Sequence, residues 1–374
     1  MNKATKKKVM AIVIVFLLVV SSIAIYVILD GLKVSPEPVI EEDESSEEVV
    51  DPTTIKVTEL MQQLDESTIR GYIEKLSSFG PHPTARRILY KLSNRPIIGK
   101  FFDLPIEKVA RYIYNEFESM GLKVRYQYWE EEPTIKNLRE PSWTFAWELG
   151  NNIEATLPGT NESSDEIYVL VAHYDTWPNT PGNEDDSKIV GANDDSSGVA
   201  LLLAAAKLMS QYSFDHTIRF LAVDGEEQWL KGSRAYAEEA VKNNDNIVAA
   251  FSIDMIGNRG VPDYRNTEVL FAGYKESSWI VNFTRNVNKR YPEFLNFTIF
   301  WDEVTLGNFK GHGSDYQEFL KHGYDAVYVA EAVDDYNWHR NSDTIENMDT
   351  SYTTEISRLI LATAAELAWD VEYV

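Results

Sequence analysis

From about Lys56 onward the chain alternates short apolar runs with amphipathic stretches. The runs at 167–173, 218–224, 248–254, 268–272 and 325–330 are too short for typical helices and rich in β-branched and aromatic residues, so they predict buried strands. Between and around them, segments near 57–78 and 105–121 and the stretches "SGVALLLAAAKLMSQ" and "SSWIVNFTRNVNKR" carry helical periodicity. Buried strands separated by helices predict an α/β fold: a three-layer sandwich whose mixed, largely parallel central sheet is covered by helices on both faces. No internal repeat interrupts this order. In such sheets ligands bind beyond the carboxyl ends of the strands, so the chemistry is expected immediately after the apolar runs.

The N-terminal pattern is different. "MNKATKKK" precedes an uncharged apolar run from Val9 to Leu29. At about 1.5 Å per residue that run crosses a hydrocarbon core of roughly 30 Å. Lys3, Lys6, Lys7 and Lys8 lie before it and acidic residues after it, so the positive-inside rule expects residues 1–8 in the cytoplasm and the remainder across the membrane. The alternative is a cleaved signal peptide, whose apolar core is usually shorter and closes on a small-x-small site. Residues 33–55 contain eight acids and three prolines and predict an extended, self-repelling linker. The expected organisation is a tail (1–8), a single-pass signal anchor (9–29), a linker (30–55) and one catalytic domain (56–374).

Composition narrows the chemistry. With 35 basic against 59 acidic residues, the formal charge is −24, which offers no field for phosphates and excludes nucleic acid as an expected partner. A chain that is 44% hydrophobic can bury a substantial core. There is no cysteine, so neither a thiol nucleophile nor a thiolate metal site is possible. Any metal must be held by His, Asp and Glu.

Those residues gather at the strand ends. The first run closes on "AHYDT", with His173 and Asp175. "IRFLAVDGEEQW" leads into Glu226 and Glu227, and "AAFSIDMIG" into Asp254. Between the first two runs "GANDDSSGVA" carries Asp194 and Asp195 into a helix, and "YNWHRNSDT" supplies His339 near the C-terminus. Singly, each has an ordinary explanation: a strand-end Asp as a turn or helix cap, a loop His as a solvated side chain. Together they form a carboxylate and imidazole set that suits zinc.

"AHYDT", "GANDDSSG", "DGEEQWLKGS", "SIDMIG" and "WHRNSDT", in this order, resemble the co-catalytic zinc aminopeptidases of clan MH, over about residues 104–370. The resemblance implies two Zn2+ ions per chain. His173 and Asp254 would hold one, Glu227 and His339 the other, and Asp194 would bridge them; Asp195 follows where the family often has a cis peptide. Glu226 would be the general base, and Asp175 would accept the His173 ring N–H and fix its tautomer. The implied reaction is hydrolysis of N-terminal residues from peptides with a free N-terminus, by water activated between two ions. Here "GHGSDYQEF" has Tyr316 where many relatives have His, with His312 upstream as a candidate pocket residue. His82, in "GPHP", is expected on a loop surface, in a connection longer than relatives usually have. Two alternatives stand beside the peptidase: a single-zinc glutaminyl-peptide cyclotransferase, which shares the fold and several motifs, and an inactive, membrane-tethered binding protein. Oligomeric state and preferred N-terminal residue are not legible.

Overall fold

The computed structural model of the protein describes residues 51–83, 86–87, 104–131, 147–177, 188–259, 267–309 and 311–371. The apolar run at 9–29 and most of the linker lie outside them. Among the described residues no helix is long and apolar enough to cross a membrane. Among the described residues, regular structure starts within the stretch expected to be linker: Asp51 accepts the Thr53 N–H at 3.0 Å and caps helix α1 (Pro52–Gln63), with proline at the position where a missing N–H costs nothing. The segment expected as one helix near 57–78 is two. Asp65 adopts an extended conformation and caps α2 (Glu66–Ser77) through the Thr68 N–H, so the chain breaks where an N-cap competes with helix continuation.

The remaining elements are β1 (Arg86–Arg87), α3 (Pro105–Ser119), β2 (Lys123–Glu131), β3 (Trp147–Leu157), β4 (Glu166–His173), α4 (Ser196–Met209), β5 (Thr217–Val223), α5 (Lys231–Asn243), β6 (Asn246–Ile253), β7 (Thr267–Gly273), α6 (Ser278–Arg290), β8 (Phe297–Glu303), α7 (Tyr316–Lys321), β9 (Ala326–Glu331) and α8 (Thr350–Ala368). The sheet runs β1-β3-β5-β4-β6-β9-β7-β8, with β2 paired to β3. Only its centre is continuously parallel: β5, β4, β6 and β9 run together, and β7 with β8. The β1–β3, β2–β3, β3–β5 and β7–β9 pairs are antiparallel. The expected mixed sheet is present, with its parallel pairs in the middle and at the β7–β8 edge.

Both faces are covered, and β4 shows why its sequence is apolar between Glu166 and His173. Tyr168, Leu170 and Ala172 enter the core beneath α2, α3, α4 and α8, while Ile167, Val169 and Val171 enter a second core beneath α5 and α7. Each fully buried aliphatic side chain contributes about 1.5–3 kcal/mol. A strand walled on both sides has no polar face to spare, so its chemistry appears where it ends, at the buried His173.

Candidate metal centre

Four connections at the carboxyl edge of the parallel strands carry the candidate residues. His173 is the last residue of β4; Glu226 and Glu227 follow β5, and Asp254 follows β6. Asp194 lies in the turn entering α4, and His339 in the connection from β9 to α8, at φ +55°. Asp195 ties these parts together. Its Oδ1 caps α4 by accepting the Gly198 N–H at 2.8 Å and accepts the Met255 N–H at 3.4 Å, and its Oδ2 accepts the His173 N–H at 3.2 Å. Gly198 permits this closeness, since a Cβ there would stand 2.4 Å from the Ile253 carbonyl oxygen. The Asp194–Asp195 peptide is cis.

The five expected ligands come together as two groups sharing one carboxylate. His173 Nε2 lies 3.0 Å from Asp194 Oδ1 and 3.6 Å from Asp254 Oδ1. His339 Nε2 lies 3.2 Å from Asp194 Oδ2 and 3.2 Å from Glu227 Oε2. Within each group the potential ligand atoms all lie within 4.8 Å of one another. Two ligands about 2.0–2.2 Å from one tetrahedral ion stand roughly 3.4 Å apart, so these separations suit a zinc between the atoms. His173 Nε2 and Glu227 Oε1 are buried without a hydrogen-bond partner, a costly arrangement unless a cation completes it. The residues present therefore fit the metal.

Electrostatics agrees with the geometry. Burial opposes ionisation of Asp194, yet the facing His173 and His339 rings hold its carboxyl below the ordinary range. Loss of solvent pushes Glu226 and Glu227 well above the glutamate range, helped by neighbouring carboxylates. Asp315, which precedes α7, is buried with neither carboxylate oxygen paired and is pushed up to about 7, mainly by desolvation. So many acids in one pocket repel each other unless protons or cations intervene.

The supporting residues refine one expectation and correct another. Asp175 does accept from the His173 ring, but with its backbone carbonyl, 3.0 Å from Nδ1. Its carboxylate lies 3.6 Å from Nδ1 and also accepts the Glu226 N–H at 3.1 Å. His82 is not on the surface: it is 2% exposed, its N–H donating to Thr176 Oγ1 and its carbonyl accepting the Thr176 N–H. It belongs to neither ligand group. Tyr316 is wholly buried, its hydroxyl donating to the His312 carbonyl at 2.8 Å, so it is a core residue here. The His312 ring lies 2.9 Å from Asp302 Oδ2, apart from both groups.

Several supporting side chains carry no signal strong enough to single them out in the sequence. Ser314 Oγ donates to Asp254 Oδ2 at 2.6 Å. Trp177 and Trp338 stack on the His339 ring, with centroids at 3.7 and 4.0 Å. Asp343 accepts the N–H groups of Asn193 and Asp194. The WHRNSDT motif points toward the last of these, though any Asp before Thr reads equally well as a turn residue.

Residues 152–364, more than half of the chain, match the family described as Peptidase family M28. A probable zinc metalloprotease of Pyrenophora tritici-repentis is 27% identical over 248 residues, covering 58% of this chain and 56% of its own length. The chain thus spans only about half the length of some curated relatives it matches. Among solved structures, a leucine aminopeptidase precursor of Bacteroides thetaiotaomicron superposes with a TM-score of 0.61 at 17% identity, covering 83% of this chain and 98% of the other. A glutaminyl cyclase of Fimbriiglobus ruber gives 0.61 at 18% identity, covering 81% and 95%. Likenesses at this identity show a common fold.

Proposed function

The chain belongs to peptidase family M28, and on that premise we propose that it is a zinc aminopeptidase, hydrolysing N-terminal residues from peptides whose N-terminus is free. The observation that carries this reading is the shared Asp194 carboxylate, one oxygen facing His173 and the other His339. His173, Asp194 and Asp254 would hold one zinc, and Asp194, Glu227 and His339 a second. Zinc bound there supplies Lewis acidity, polarising a carbonyl and making water a competent nucleophile near neutral pH.

The chain's own residues supply the rest. Glu226 sits beside a ligand, Glu227, in the turn that follows β5, and belongs to neither ligand group itself. Its carboxyl, made more basic by desolvation, takes a proton from water and delivers it to the departing amine. Asp175 fixes the Glu226 backbone through the 3.1 Å bond. The surplus of carboxylates around Glu226 and Asp315 favours a protonated chain end over a capped one.

The cyclase shares the fold but needs one zinc, so the completeness of both ligand groups favours the peptidase. The same completeness disfavours an inactive scaffold. The anchor at residues 9–29, with the catalytic domain outside the cytoplasm, remains part of this proposal on the strength of the sequence pattern.

Mass spectrometry of products distinguishes the readings. The zinc-loaded protein is given a peptide with a free N-terminus, its N-acetylated twin and a peptide beginning with Gln. Stepwise shortening of the free peptide alone, abolished by Glu226→Gln with zinc content retained, is the expected result. Ammonia loss confined to the Gln peptide would make the chain a cyclase, and no product from any peptide would favour a scaffold.

A further inference from the structure

Asp343 is 1% exposed and sits four residues beyond His339, in the connection that supplies that ligand. It contacts the turn carrying Asp194 three times. Its Oδ1 accepts the Asn193 N–H at 2.7 Å, its Oδ2 accepts the Asp194 N–H at 3.1 Å, and its carbonyl accepts the Ala192 N–H at 3.4 Å. Two consecutive N–H groups aimed at one carboxylate set the orientation of the peptide leading into Asp194, and therefore the direction in which the Asp194 side chain leaves the backbone. The turn is braced from the other side through Asn193, whose Oδ1 accepts the Gly257 N–H at 2.8 Å and whose Nδ2 donates to Asp335 at 2.9 Å and to Glu331 at 3.1 Å. The Asp343 N–H is itself engaged by the Arg340 carbonyl at 3.0 Å, so the clamp is anchored next to His339.

We propose that Asp343 is a positioning residue that holds the shared Asp194 carboxylate in register with His339, so that one loop supplies both a ligand to the centre and the clamp on its bridge. The inference rests on the zinc reading above. Asp343 touches neither substrate nor reacting atoms; it acts through Asp194. Because Asp194 belongs to both ligand groups, loosening it reaches both, whereas loss of His339 reaches one.

The test is zinc affinity, measured on the metal-stripped full chain by competition with a chromophoric chelator, beside the melting temperature of the same stripped protein. Partners that orient ligands typically change metal affinity by about 10–100-fold. Asp343→Ala is expected to weaken both zinc-binding steps by about that factor. Asp343→Asn, nearly isosteric and keeping one acceptor oxygen, is expected to fold normally and weaken them less. His339→Ala is expected to weaken one step. Wild-type affinity within about twofold in Asp343→Asn and Asp343→Ala, with only the melting temperature lowered, would overturn the proposal by making Asp343 a stability residue. Weakening confined to the step lost in His339→Ala would overturn it too, since Asp194 would then not be what Asp343 holds. A wild-type chain that binds no zinc would overturn the zinc reading itself, a separate and recognisable failure.

Discussion

The main-chain N–H of Glu226 donates to Oδ1 of Asp175 at 3.1 Å. The strand-end His-x-Asp pair therefore has divided duties: the Asp175 carbonyl orients the His173 ring, while its carboxylate fixes the next strand's Glu-Glu turn. Asp175→Ala keeps the carbonyl and removes the carboxylate. Zinc content should stay near wild type while kcat falls about 10–100-fold, measured by elemental analysis alongside peptide kinetics. Loss of zinc in proportion to activity would show that the carboxylate serves His173 instead.

Gly225, directly before Glu226, has φ +80°, and a Cβ there would lie 2.7 Å from Trp129 Cζ2. Gly225→Ala asks for a left-handed backbone at an alanine, costing about 1–2 kcal/mol, and also displaces a buried indole. The variant should melt several degrees lower and lose kcat more than KM, because the displaced turn carries the base. Unchanged kcat in a destabilised variant would separate the turn's packing from its chemistry.

Asp65 gives a pH-dependent prediction far from the site. The Ser67 hydroxyl and the Thr68 N–H hold its carboxyl below the ordinary aspartate range. A pKa lower in the folded than in the unfolded chain contributes stability that is present above the unfolded value of about 3.9 and lost as pH falls through the folded one. Asp65→Ala should cost about 1 kcal/mol near neutral pH, with activity unchanged. Denaturant unfolding of both proteins at decreasing pH should show that gap closing below about pH 4. A gap that is constant with pH would mean that the cap's charge plays no part.

Burial decides which parts of the fold were legible in the sequence. Strands β4, β5, β6, β7 and β9 lie within two residues of their expected positions, because walls on both faces leave a mainly apolar run. Strand β2 escaped notice since polar residues occupy it: Arg125 reaches Glu154 and Glu239, and Gln127 reaches Glu239, and such pairing is invisible until the partners are placed. At the site, all five ligand candidates stood out because each followed an apolar run or lay in a short motif. Asp343 shares the WHRNSDT motif with His339, but its role is not legible there, as its partners lie 150 and 149 residues away. The burial of His82 is not legible for the same reason, its partner Thr176 being 94 residues distant. Long-range backbone contacts leave no periodic trace.

The shared Asp194 carboxylate is the central claim, and zinc per chain tests it most directly. After exhaustive dialysis, elemental analysis of the purified wild-type protein should give two zinc ions per chain, and Asp194→Ala should retain none tightly, since both ligand groups lose their common member. One tightly held zinc in Asp194→Ala would contradict the account, because a group that keeps its ion without Asp194 was never bridged by it.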